Sequence, residues 1–202
     1  AMGLYSLDAL TTGSYNTAVG SSTLSDVTTV SNLTAFGYHA LERNTSGTQN
    51  TAVGYYALGA NTTGGSNTVV GYGAMDSCTT GGMNTAVGFD AGTAVTTGAE
   101  NVLIGSSAAA HLTTGSSNTI VGRYTGQGQT AGGISLTTGS RNTMMGRYVD
   151  TSLAAGVDQN VFGYNVAGSA DNTFTFGTAT TDTTCTNGGT TWSAPSDIRL
   201  KE

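Results

Sequence analysis

Two adjacent apolar positions recur along this chain, and a glycine follows them each time. The residue just before the glycine is Val19, Phe36, Val53, Val70, Val87, Ile104, Val121, Met145, Phe162 and Phe176, and the one before that is Ala18, Ala35, Ala52, Val69, Ala86, Leu103, Ile120, Met144 and Val161. Gly3, Gly20, Gly37, Gly54, Gly71, Gly88, Gly105 and Gly122 stand 17 residues apart; after a 24-residue gap the beat returns at Gly146 and Gly163, then shortens to 14 at Gly177. A fixed period of this length marks stacked copies of one small unit.

The cleanest copies, at 50–58, 67–75 and 84–92, read N-T-A-V-G-Y-x-A-L, followed by a short polar link and T-T-G. Seventeen residues are too few for a helix hairpin. With glycine and β-branched residues dominant, the unit predicts two short strands and two turns. The expected fold is therefore all-β, a parallel β-solenoid over residues 1–177. One turn rises by the inter-strand spacing of about 4.8 Å, so ten or so turns make a rod roughly 45–50 Å tall.

Neighbouring residues on a strand point to opposite faces. Two adjacent apolar positions therefore make both faces apolar, as in a strand covered on both sides. One face can fill the inside of the coil. The other needs a cover that the chain does not supply, and a partner subunit is the economical answer. A single column would also have a thin core, whereas three packed side by side would share the Ala/Val/Leu seam.

The remaining positions have local reasons. The repeat glycine sits where the strand ends and the chain turns, and positive φ is cheap there only for glycine. Asn16, Asn50, Asn67, Asn84, Asn101, Asn118 and Asn142 open the strand. Asparagine tolerates left-handed geometry, and stacked amides can bond along the pile. Thr-Thr-Gly at 62–64, 79–81, 96–98, 113–115 and 137–139 marks the second corner. The span 125–134 carries a seven-residue insertion, expected to be an exposed loop. Residues 178–195 form a polar segment with Trp192, read as a cap on the open sheet edge or an exit stalk.

Composition narrows the function. The net charge is −6 and no lysine precedes Lys201, so nucleic acid is not an expected partner. No apolar run reaches the 18 or so residues that span a bilayer, and residues 1–15 lack the basic start and apolar block of a signal peptide. Cys78 and Cys185 match no metal or redox spacing. His39 and His111 are isolated, and Asp76, Asp90, Asp150 and Asp158 share no repeat position. The pattern calls for no metal and no cofactor. Tyr38, Tyr55, Tyr72 and Phe89 occupy the slot after the glycine in four successive turns. The three tyrosines are candidate ligand-binding residues, since an exposed ring ladder could hold sugars, and packing at the corner is the competing reading. Arg123 and Arg147 replace the aromatic in later turns, with Arg141 nearby.

The unit N-T-A-V-G-Y-x-A-L…T-T-G resembles the head repeats of trimeric adhesins and phage tail fibres, although 17 residues is longer than the usual adhesin unit. The resemblance implies a left-handed parallel β-roll assembled as a homotrimer. The stretch Ser196-Asp197-Ile198-Arg199-Leu200-Lys201-Glu202 is similar to the opening of the self-cleaving intramolecular chaperone domain of phage tail fibres. That resemblance implies a Ser196/Lys201 dyad and a cut at Ser196–Asp197. It makes 196–202 the first residues of a truncated chaperone, in which the dyad is expected to be inactive. A lysine held neutral can take the serine proton.

The function these observations predict is structural and adhesive, not enzymatic: a shaft or head of a trimeric phage tail fibre, in the virion, contacting a host-surface glycan or protein. The head of a bacterial trimeric adhesin, at the cell surface, is the alternative. An ice-binding solenoid, suggested by Thr97, Thr114 and Thr138, and a glycan-cleaving spike are more distant readings.

Overall fold

The computed structural model describes residues 1–130, 132–178 and 183–189. The segment 190–202, with Ser196, Asp197 and Lys201, lies outside the described residues. One sheet runs the length of the stack, its strands neighbours in chain order. They are β1 (Thr17–Val19), β2 (Thr34–Phe36), β3 (Thr51–Val53), β4 (Thr68–Val70), β5 (Thr85–Val87), β6 (Val102–Ile104), β7 (Thr119–Val121), β8 (Thr143–Asp150), β9 (Asn160–Ala167), β10 (Thr173–Thr178) and β11 (Thr183–Thr186). From β1 to β10 every pairing is parallel and repeat-aligned, as in Ala52↔Val69 and Val53↔Val70. The described chain is a parallel β-solenoid of about nine turns. β11 turns back antiparallel on β10, pairing Phe174 with Cys185, and ends the parallel stack.

Each turn contains one strand rather than the two expected. The Thr-Thr-Gly side is a bend held another way. Thr45, Ser46 and Gly47 all donate their N–H groups to Thr62 O, at 3.0, 2.9 and 3.3 Å. The Thr45 hydroxyl reaches the same oxygen at 3.1 Å. Three amides converge on this carbonyl, and two each on Thr79 O and Thr96 O, which curves the chain too sharply for a ladder. The hydroxyl contact repeats from Thr62 to Thr79 O, Thr79 to Thr96 O and Thr96 to Thr113 O, which explains why threonine recurs there.

Left-handed backbone is also distributed differently from the expectation. The residue ahead of each asparagine, not the asparagine, has positive φ: Gln49 at 60°, Ser66 at 61°, Met83 at 58° and Glu100 at 60°. Two further positions follow the glycine corner, as in Tyr56 and Leu58, both at 53°. Such geometry costs a non-glycine residue about 1–2 kcal/mol. Here it turns the N–H along the stack axis: Tyr56 N donates to Tyr38 O at 2.9 Å, Leu58 N to Ala74 O at 3.0 Å and Ser66 N to Thr48 O at 2.9 Å. Each strained residue gains a bond to an adjacent turn.

The glycines answer two different demands. Gly88 has φ +141°, and a Cβ there would also collide with Gly105 O. Gly98 has no left-handed φ, yet a Cβ would collide with Gly115 O in the next turn. Thr-Thr-Gly ends in glycine because the turns approach too closely for a side chain.

The core is a narrow column whose volume is shared between two positions. At the corner Leu24, Leu41, Leu58 and Met75 are fully buried opposite the small or medium Ala35, Ala52, Val69 and Ala86. Higher up the corner shrinks to Gly92 and Ala109 and the strand position grows to Leu103 and Ile120. Leu103 Cδ1 takes the space that a side chain on Gly92 would fill, 2.5 Å from the Cβ position. Close packing tolerates the exchange because the sum changes little.

The stacked amides form as the pattern suggested. Asn67 Nδ2 donates to Asn50 Oδ1 at 3.1 Å and to Gly81 O at 2.9 Å, and its own N–H bonds Asn50 Oδ1 at 2.9 Å. The motif repeats through Asn84, Asn101, Asn118 and Asn142. Gln159 closes the ladder, its N–H on Asn142 Oδ1 at 3.0 Å and its Nε2 shared between Ser152 Oγ and Asp171 Oδ1, both at 2.9 Å.

Candidate interaction surface

In Thr-Ala-Val strands the alanine points inward and the residues on either side point outward. Ala52, Val69 and Ala86 are buried, whereas Phe36, Val53, Val70, Val87, Ile104, Met145 and Phe176 are 36–47% exposed. Parallel register stacks these side chains into one apolar stripe along the sheet, beside a second outward column that is threonine in most strands. The two-faced apolar strand of the sequence is thus one face in the core and one face open to solvent on the single chain. An exposed apolar stripe of this length is unusual for a monomer.

The nominated tyrosines border that stripe. Tyr38, Tyr55, Tyr72 and Phe89 form a continuous ring stack, with centroids 5.4, 4.8 and 5.3 Å apart and planes within 15° of parallel. All four are 42–53% exposed. The stack places the three tyrosines together, but each inner ring has both faces covered by its neighbours. A sugar ring stacks on a face, so the ladder offers mainly ring edges and hydroxyls to solvent. Its geometry suits packing against another surface better than enclosing a saccharide.

His39 lies flat against Tyr56, centroids 4.7 Å apart and planes 4° apart, and its Nδ1 is 2.7 Å from Glu42 Oε2. Tyr56, Glu42, Arg43 and Asp76 edge a shallow depression of about 130 Å³. Proximity of Asp76 and partial desolvation raise the Asp90 carboxyl above its ordinary value, desolvation being the larger cause. Cys78 is buried and its thiol is pushed up to about 11 by desolvation. This leaves it protonated and unreactive at neutral pH.

The insertion is only in part the exposed loop expected: Gln129, Gly132 and Ile134 face solvent, but other residues of it are anchored in the interior. Gln127 and Thr130 are buried, Gln127 pairs with Ser135, and Ile134 pairs with Thr151. The reason is Asp150, a fully buried carboxylate in the corner position that leucine occupies in earlier turns. Gly128 N reaches its Oδ1 at 2.7 Å, while Thr130 N and Oγ1 reach Oδ2 at 2.8 and 2.9 Å. The extra residues supply the donors that a buried carboxylate requires. Periodicity concealed this, because Asp150 falls on the beat only after the 24-residue gap is allowed for.

Beyond Phe89 and Ser106 the aromatic column becomes Arg123, Arg147 and Tyr164. Arg123 lies 4.4 Å over the Tyr124 ring and Arg147 lies 4.5 Å over the Tyr148 ring. No family model, curated protein or solved structure matches this chain.

Proposed function

We propose that this chain is a structural and adhesive segment of a trimeric surface fibre of the phage tail-fibre type, presenting or contacting a host surface. The observation that carries the reading is the unbroken apolar stripe on the outer sheet face. The four half-exposed rings along its border amount to about 400 Å² at 150–250 Å² per aromatic side chain. The seven residues of the stripe, about two-fifths exposed, add on the order of 250 Å² at 25 cal/mol/Å² and 1.5–3 kcal/mol per side chain. The sum, about 650 Å², approaches the roughly 800 Å² per partner of a standard interface and lies at the upper edge of the largest patch usual on a monomer. Identical columns side by side would meet at equal heights, so Val53, Val70 and Val87 would face their counterparts. The number three and the fibre context rest on the resemblance of the repeat and of the Ser196–Glu202 stretch.

The test is the mass of the folded protein in solution. Sedimentation equilibrium is expected to give three times 20.2 kDa. Val70→Asp with Val87→Asp is expected to release soluble, β-structured monomers at micromolar concentration. A folded wild-type monomer at 100 μM (roughly 100-fold above a micromolar Kd) refutes the assembly.

A further inference from the structure

We infer that Arg123 and Arg147, with Tyr164, form a binding site for the acidic groups of an anionic polysaccharide. The inference does not depend on the trimer. In a chain of net charge −6 with only six basic side chains, two guanidinium groups occupy matching positions in adjacent turns. Tyr148 N donates to Arg123 O at 3.2 Å, which sets the two residues side by side along the stack. Adjacent turns are about 4.8 Å apart, so the two positive charges repel. Among the described residues neither arginine forms an ion pair; Arg141 does, with Asp158 at 2.9 Å.

Both guanidinium groups are held in place by aromatic rings rather than by acids. Arg123 Nη2 donates to Tyr124 Oη at 3.0 Å and Arg147 Nη2 to Tyr148 Oη at 3.1 Å. Tyr124 and Tyr148 are themselves stacked, 5.6 Å apart and 9° from parallel. The side chains are therefore ordered before any ligand arrives, which removes much of the entropic cost of binding. One hydrogen bond to a tyrosine hydroxyl per arginine leaves most of the five N–H donors of each fork for a ligand. Two guanidinium forks one turn apart match a carboxylate or sulfate group, or a pair of them on successive sugars.

Tyr164 makes a saccharide the favoured carrier of that anion. It follows Arg147 in the same column, with its ring 5.9 Å from the guanidinium carbon and 50% exposed. It is tilted 60° from Tyr148 rather than stacked on it, so one face is not covered by that neighbour. Half of its surface is exposed, and among the described residues no other ring stacks parallel to it. Two cations are too few for nucleic acid, which needs a larger basic patch. Lying at the edge of the apolar stripe, the site would occupy the solvent-accessible rim of an assembled interface.

The experiment uses the whole chain on biosensor surfaces carrying heparin oligosaccharide, polyuronate, neutral dextran or single-stranded DNA. Heparin and polyuronate are expected to bind, dextran not to bind, and DNA to bind at least tenfold more weakly than either acidic glycan. A log–log salt slope near −2 is expected for two displaced counterions. Arg123→Gln with Arg147→Gln is expected to reduce heparin binding at least tenfold. Tyr164→Ala is expected to weaken both acidic glycans several-fold while leaving inorganic sulfate competition unchanged. The double lysine variant keeps the charges but loses the forks, and should bind at an intermediate level. Circular dichroism confirms that each variant is folded. Absence of binding to either acidic glycan at 20 mM salt, equal binding by the folded glutamine variant, or DNA binding as tight as heparin overturns the inference.

Discussion

Replacing Asn84 by alanine tests whether the amide ladder contributes to stability or merely accompanies the stack. The side chain makes four bonds: Nδ2 to Asn67 Oδ1 at 3.1 Å and to Gly98 O at 2.9 Å, and Oδ1 from Asn101 N at 3.0 Å and Asn101 Nδ2 at 3.1 Å. Asn67 Oδ1 and Asn101 Nδ2 would each keep another partner. Asn101 N and Gly98 O would lose theirs in the interior. A buried group left unmatched costs about 1–3 kcal/mol, so the substitution should destabilise the fold by about 2–6 kcal/mol. Leu33 offers an internal comparison: it occupies the same column, fully buried, with its N–H on Asn16 Oδ1 at 3.0 Å. Asn84→Leu should therefore cost about half as much, since apolar volume replaces part of the loss. Hydrogen exchange resolves the effect by residue, which matters in a stack that can open turn by turn. The Asn101 amide should exchange about 30-fold faster or more, corresponding to about 2 kcal/mol. Unchanged Asn101 exchange with a stability change within about 0.5 kcal/mol would refute the role assigned to the ladder.

Other substitutions probe the packing. Gly98→Ala, at a glycine with no left-handed φ whose Cβ would collide with Gly115 O, should cost more than about 2 kcal/mol by steric contact alone; a neutral result in urea denaturation contradicts the close approach of the turns. Leu103→Ala should cost about 2–5 kcal/mol through the cavity it leaves. Adding Gly92→Leu should recover at least half of that, because the two positions share one space and Leu58 already adopts φ 53° in the same column; strict additivity would exclude the exchange. The acid response should begin in the last turns. Asp171 is held below 3.8 first by the Val157 N–H and then by Gln159, and Asp158 is held below it by Arg141. A carboxyl with a depressed folded-state pKa stabilises above its unfolded value and loses that contribution as pH falls through the folded one. Exchange protection around Gln159 should therefore decline below about pH 4 while that of β3–β5 persists. Asp171→Asn should flatten the decline, and equal protection at pH 5 and 2.5 would refute it.

The repeat was legible because a solenoid's tertiary contacts recur at a fixed sequence separation. Every Ala-Val-Gly recurrence is also a spatial neighbour, so period, strand position, inward alanine and amide ladder could all be read from one dimension. The outward apolar residue was legible for the same reason. Three matters depended on coordinates. The second side of each turn has strand-like composition, but it bends where backbone amides of one turn converge on a carbonyl of the next, two at Thr79 O and Thr96 O and three at Thr62 O. Left-handed backbone falls on residues as unlike as Gln49, Met83 and Leu58, because the direction of a hydrogen bond along the axis decides it rather than side-chain preference. The buried Asp150 and the insertion that satisfies it are distant in the chain and coincide only after folding. The sequence by itself therefore determined the repeating register, since periodic contacts leave a periodic record. Only the tertiary structure decided how single departures from the repeat are compensated, since their partners lie in neighbouring turns and share no local signature.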